Sequence, residues 1–513
     1  MPTKPRSAAP ATLWTTRLDR AAVAPLSRQL AAALREALSE ERIETGARLP
    51  STRALARELG LARSTIVGVF EQLAAEGYIA GRPGSGYFAA APLGARNPPT
   101  DAQPAAPRPL SRRGEMLRGY TAATRATPRP FELGYAEIDS GFVATWKRLA
   151  SRVLSGRSSL VWNYGDPQGD PALRRAIADY LAAARGVRCV PEQIVLTSGT
   201  QQGLSLAVQV LLDPGAAAWV EDPCYRATID ILRAAEARIV PVPVDDQGLD
   251  IAAGQRRFGS HNKFGPPRLV YTTPSRQYPL GMAMPLARRA ALLAWAAREG
   301  AWIIEDDYES EFQAPGQMLP SLQGLDRAEQ VIYLGTFSKL LFPSLRLGYA
   351  VLPEELVASF AGARHLADRQ SSALLQAIML EFMLDGHFAR HLKRMRARYA
   401  ERQHFLIDLL TRRLGDVLDI RPVESGMYLT AWLPPGWSDE EAAKALAAAG
   451  VSAVPLSSLT LETTRPPGLV LGYTGHGEAA MSRAVETMKA VLRRPTGLAN
   501  LSKPDLRADR IRA

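Results

Sequence analysis

Lys339 lies in YLGTFSKLLFPSLRLGY, after a strand-like run, with hydroxyls before it and an arginine seven residues on. Its amine can hold an aldehyde as a covalent adduct. The segment AWIIEDDYESEF ends a buried-looking strand in acids. Asp306 and Tyr308 fall on one side of that extended run, so a carboxylate for a ring nitrogen and a phenol for a ring hydroxyl can point together. In LTSGTQQGLSL a strand runs through Gly199, Thr200 and Gln201 into a helix. The free N–H groups and positive dipole end at such a start suit a phosphate. Tyr225, in WVEDPCYRA, follows another strand with a flat ring available for stacking. Each residue alone has an ordinary reading: a surface lysine, a solvated acidic loop, a packed core tyrosine. Taken together, an amine, a carboxylate, a π surface and a phosphate cradle are what pyridoxal phosphate asks of a protein.

Such a set needs a scaffold, and 513 residues exceed one ordinary core. From Phe131 onward, β-branched runs (QIVLTSG, AAWVED, RLVYTTP, AWIIEDD) alternate with helix-length amphipathic segments, which predicts a mostly parallel sheet covered by helices. From about 380 to 490 a long charged helix and a mixed α+β stretch read as a smaller lobe. Residues 91–130 are rich in Pro, Ala and Arg without apolar periodicity and read as a linker. Residues 491–513 read as a basic tail. No run approaches a membrane span and no leader-like stretch opens the chain, so the cytoplasm is expected. Cys189 and Cys224 are too few for a disulfide framework and are not spaced as metal ligands, so no metal is expected.

The net charge of +11 is unevenly placed. Residues 1–90 carry 12 Lys/Arg against 8 Asp/Glu, and residues 91–130 and 489–513 each carry 7 against 2, so polyanion contact is sought outside the large domain. PLSRQLAAALREALSE is helical in pattern, and Ser51 is placed to cap a second helix. A third helix, ARSTIVGVFEQLAAEG, turns Ile66, Val69, Phe70 and Leu73 to one face and leaves Arg63, Ser64 and Thr65 at its start, where a helix-turn-helix reads the major groove. GYIAGRPGSGYF then forms a hairpin with Arg82 near its tip. Arg53, Arg63, Ser64, Thr65 and Arg82 are the candidate DNA contacts. Ala62 stands where a polar cap is usual, and Gly68 lies inside the helix.

Residues 14–88 resemble the winged helix of GntR-type bacterial regulators through GARLPSTRALARELGLARSTIVGVFEQLAAEGYIAGRPGSGYF. Residues 131–490 resemble fold type I aminotransferases through NYGDPQGDPALRRAIADYLAAARGV, LTSGTQQGLSL, EDPCYRA, TPSRQYPLG, EDDYESEF and GTFSKLLFPSLRLGY. Together they resemble the MocR subfamily, which keeps the aminotransferase fold mainly to sense ligands. The resemblance implies a winged-helix N-terminal domain and an α/β fold type I PLP-dependent transferase-like domain with a smaller C-terminal α+β lobe. It implies Lys339 as the Schiff-base lysine, Asp306 at the pyridine nitrogen, Tyr308 at the ring hydroxyl and Tyr225 stacking. Gly199, Thr200, Gln201, Ser338 and Arg346 would serve the phosphate. Arg276 departs from the histidine usual in that subfamily, and the C-terminal arginine that clamps a substrate carboxylate has no clear equivalent. Arg465 is displaced, which leaves Arg226 and Arg276 for that contact.

A regulator that binds operator DNA as a homodimer and senses an amino compound or PLP itself is expected first. A PLP-dependent aminotransferase with an accessory winged helix is the alternative, since fold alone does not separate them.

Overall fold

Apolar residues at helical spacing build three helices in the first of two units: α1 (Leu26–Ser39), α2 (Thr52–Leu59) and α3 (Arg63–Ala75). Leu30, Leu34, Leu55, Ile66, Val69, Phe70 and Leu73 bury between them. Ser51 Oγ accepts from the Ala54 N–H at 3.1 Å, and Gly60 ends α2 in the left-handed region at φ 61°. A hairpin of β1 (Ile79–Arg82) and β2 (Gly86–Ala89) follows, pairing Arg82 with Gly86. The computed structural model describes residues 18–40, 42–90, 108–120, 127–156, 159–257, 266–313, 318–421 and 426–493, and divides into units at residues 109 and 110. Residues 14–17, 91–107 and 494–513, which include most of the expected tail, lie outside the described residues.

The second unit contains an eight-stranded sheet of β3 (Ile194–Thr197), β4 (Ala217–Asp222), β5 (Arg238–Asp245), β6 (Gly248–Leu249), β7 (Leu269–Thr272), β8 (Trp302–Asp307), β9 (Val331–Thr336) and β10 (Gly348–Val351). Its order is β3-β10-β9-β8-β7-β4-β5-β6. The β9-β8-β7-β4-β5 block is parallel, as the run of β-branched segments predicts; β10 and β6 are antiparallel. Strands β3, β4, β7 and β9 are buried along their whole length, which is why they read as continuous apolar runs rather than alternating ones. A smaller antiparallel sheet, β11 (Asp419–Ile420), β12 (Tyr428–Trp432), β13 (Val454–Pro455) and β14 (Gly468–Gly472), packs with the 28-residue helix His387–Leu414. Among the described residues no helix is long and apolar enough to cross a membrane.

Within the expected linker, Arg112–Leu117 forms a short helix that Ser111 caps, and Arg112 and Arg113 reach Glu236 at 3.5 and 3.4 Å. Six residues were too few to register as a period. The small lobe is clasped to the large one by buried Asp222, whose carboxylate accepts the N–H groups of Leu461, Glu462 and Thr463 at 2.8, 2.9 and 2.8 Å. Removing it strands three donors at once. Asp222→Ala should therefore cost about 2–4 kcal/mol, read as a lower denaturation midpoint of the large unit.

Candidate functional site

The carboxyl ends of β4, β7, β8 and β9 meet round one cavity of about 210 Å³, the place where open α/β sheets hold ligands. Three consecutive acids end β8, and strand alternation separates them. Glu305 accepts the N–H groups of Leu322 and Gln323, both at 2.9 Å, and Asp307 takes Arg185 at 3.0 Å and the Tyr333 hydroxyl at 2.7 Å. Asp306 alone lines the cavity. The Tyr271 hydroxyl donates to its Oδ2 at 2.7 Å, while Oδ1 is buried without a partner. Burial lifts this carboxyl to about 7, the Tyr271 hydrogen bond opposing.

Lys339 also lines the cavity, beyond the end of β9, and burial pushes its amine below the ordinary lysine value, Arg346 adding to that and Glu309 opposing. Among the described residues its amine has no hydrogen-bond partner. Gly134, at φ 84°, packs so close that a Cβ there would collide with Lys339 Nζ. Tyr225 and Tyr308 lie in the same wall. Tyr225 stands edge-on to Tyr278 with ring centres 5.7 Å apart. The Tyr308 hydroxyl donates to the Arg276 carbonyl at 3.0 Å and lies 2.7 Å from the Tyr428 hydroxyl, so a contact to a ring oxygen would exchange one of these bonds.

The helix Thr200–Leu211 begins after Gly199, whose φ of 108° only glycine adopts without strain. The Arg346 guanidinium is the neighbour of Gly199 and makes no hydrogen bond or ion pair among the described residues, although its backbone is held at φ 47°. Thr200 lines the cavity and Gln201 is exposed on the first turn. Ser338 Oγ is buried and unsatisfied. Pyridoxal phosphate fits this set: an unpaired carboxylate oxygen, an unbonded amine, an aromatic wall, and a helix start with a hydroxyl and a guanidinium that lack protein partners.

The sequence reading missed Tyr271, Glu309, Tyr278 and Tyr428. Tyr271 reaches Asp306 through the parallel pairing of β7 with β8, and Tyr428 comes from β12 of the small lobe, so neither placement leaves a local signal. Neither Arg226 nor Arg276, the two arginines left for a ligand carboxylate, lines the cavity. Arg276 is buried, with Nε 2.6 Å from Glu309 Oε1 and Nη2 donating to the Tyr428 carbonyl at 3.1 Å. Arg226 pairs with Asp230 at 3.1 Å, and Arg465 donates to the Val244 carbonyl.

In the first unit Arg53 is exposed on α2, and at the start of α3 Arg63 and Ser64 are exposed and Thr65 is half-buried. Ala62 leaves that start without a side-chain cap, and Gly68 lies on the exposed side with open space round it. Arg82 closes β1, its guanidinium 4.5 Å from the Phe88 ring centre.

Residues 133–487 match the aminotransferase class I and II family, and residues 26–88 match the gntR family of bacterial regulatory proteins. The chain is 37% identical to the probable rhizopine catabolism regulatory protein MocR of Rhizobium meliloti, over 92% of this chain and 95% of that protein. It is 34% identical to the uncharacterized HTH-type transcriptional regulator YdeL of Bacillus subtilis, over 92% and 98%. Among solved structures, the α-aminoadipate aminotransferase LysN of Thermus thermophilus, in complex with N-(5'-phosphopyridoxyl)-L-leucine, superimposes with a TM-score of 0.65 at 28% identity, covering 75% of this chain and 94% of that one.

Proposed function

We propose that this chain, which belongs to the MocR subfamily of gntR-type regulators, binds pyridoxal phosphate in the cavity of its large unit and uses it to sense an amino compound that changes operator binding by its winged helix. The observation that carries this reading is the coexistence, in one chain, of a gntR-type winged helix with an exposed start to its third helix and a cavity in which Asp306 Oδ1 and the Lys339 amine lack protein partners among the described residues.

When bound, pyridoxal phosphate supplies a carbonyl carbon to which amines attach. Lys339 is the residue to hold it covalently, and the lowered basicity of that amine favours the neutral, nucleophilic form. Asp306, whose Oδ1 lacks a partner while Tyr271 holds the other oxygen, would take the ring nitrogen. Tyr225 offers its ring face and Tyr308 its hydroxyl. The N–H groups at Gly199, Thr200 and Gln201, with Ser338 and Arg346, would hold the phosphate. Small-lobe Tyr428 forms part of the same wall, so an amine ligand that prefers one arrangement of the lobes shifts the population toward it. The protein works on operator DNA in the cytoplasm as a homodimer. Trp162 and Tyr164, 69% and 77% exposed, mark a face suited to a second copy.

The test is operator affinity at fixed salt, with and without amines. Arg63→Ala should weaken specific binding by roughly 5- to 150-fold, the equivalent of about 1–3 kcal/mol, and leave the visible absorption of the cofactor unchanged. Steady transamination with no specific DNA complex under any condition would replace this reading with the enzyme.

A further inference from the structure

Beyond Lys339 and Asp306, the cavity wall includes Tyr225, Tyr278, Tyr308, Tyr428, Met427 and Glu309, with neutral residues for the rest. Among the described residues its charged side chains are two carboxylates and one amine, and the cofactor would take up the amine. Arg276, whose charge would balance a ligand carboxylate, is turned away. Its Nε lies 2.6 Å from Glu309 Oε1, its Nη2 is spent on the Tyr428 carbonyl, and the Tyr428 ring stands 4.9 Å from the guanidinium carbon. Behind it the backbone is packed so tightly that a Cβ at Gly426 would collide with the guanidinium. On the small-lobe strand β14, Leu469, Val470 and Leu471 are all buried and apolar. Arg346 stands beside Gly199, at the helix start assigned to the phosphate.

From this arrangement, and resting on the cofactor reading above, we infer that the ligand sensed here is a primary amine without a carboxylate, whose body carries hydroxyl groups. A carboxylate in this wall would be desolvated without a counter-charge, because Arg276 is already paired with Glu309. Hydroxyls meet the opposite situation. The Tyr278 hydroxyl has no hydrogen-bond partner among the described residues, and the Tyr308–Tyr428 pair, 2.7 Å apart, has lone pairs to spare. Met427 and Leu133 supply apolar contact for the carbon frame.

The holoprotein would be titrated with serine against ethanolamine, lysine against cadaverine, and propylamine against ethanolamine, followed by glucosamine, with the visible absorption as readout. Ethanolamine and cadaverine should each bind at least about 10-fold more tightly than the parent amino acid, which corresponds to about 1.4 kcal/mol. Ethanolamine should also exceed propylamine. Equal or tighter binding of the amino acids would overturn the assignment, as would a bound chromophore that no amine in the panel perturbs. Glu309→Gln, checked for retained cofactor, should release Arg276 and narrow the preference against amino acids; an unchanged preference would show that the buried pair does not set it. Absence of any chromophore that borohydride fixes would instead defeat the cofactor reading itself, a separate outcome.

Discussion

Lys339→Ala protein should carry no covalently fixed pyridoxal phosphate: after borohydride treatment the wild type retains a reduced adduct on a Lys339 peptide, and the variant retains none. Lys339 is the one lysine in the cavity wall among the described residues. Lys147, Lys393 and Lys444 are exposed and do not line the cavity. In the cavity, burial and Arg346 lower the cost of the neutral amine, and Gly134 leaves its tip the space it occupies. Loss of attachment should abolish the response of operator binding to amines while leaving a DNA complex, because α3 folds round its own core. An adduct of unchanged yield in the alanine protein would move the attachment to another residue.

Asp306→Ala should weaken cofactor binding by roughly 10- to 100-fold, the worth of one charge-assisted hydrogen bond in a buried site. Equilibrium dialysis would measure it, and an unchanged affinity would remove Asp306 from the ring nitrogen. The same carboxyl predicts a pH effect on the cofactor-free protein. Burial raises it from 3.8 to about 7, so between those values the folded chain holds a proton that the unfolded chain has released. Stability from this group is present below the unfolded value and is lost as pH rises toward 7. The unfolding free energy of wild type minus that of Asp306→Asn should therefore fall from pH 4 to pH 7 and level off above it. A difference that rises or stays flat over that window would show that the carboxyl titrates normally.

Much of this molecule is written in local order. The recognition-helix face needs only the spacing of Ile66, Val69, Phe70 and Leu73, and the uncapped start at Ala62 is visible in its side chain. The alternation that puts Asp306 and Tyr308 on one side of a strand, with Asp307 on the other, is a property of any extended chain, and the structure keeps it. The family resemblance drew Ser338 and Arg346 toward the phosphate, and both lie in the second unit with no partner among the described residues for the Ser338 hydroxyl or the Arg346 guanidinium. What the sequence could not determine is which residues distant along the chain share a wall. Tyr271 meets Asp306 through strand register, and Tyr428 meets Tyr308 only because the small lobe closes that side. Arg276 shows the difference most sharply. As a residue in TPSRQYPLG it offered a free positive charge for a ligand; in the fold, Glu309 and the Tyr428 carbonyl consume that charge inside the protein. A side chain's type is fixed locally, but whether its charge is available depends on partners that long-range packing alone brings within reach.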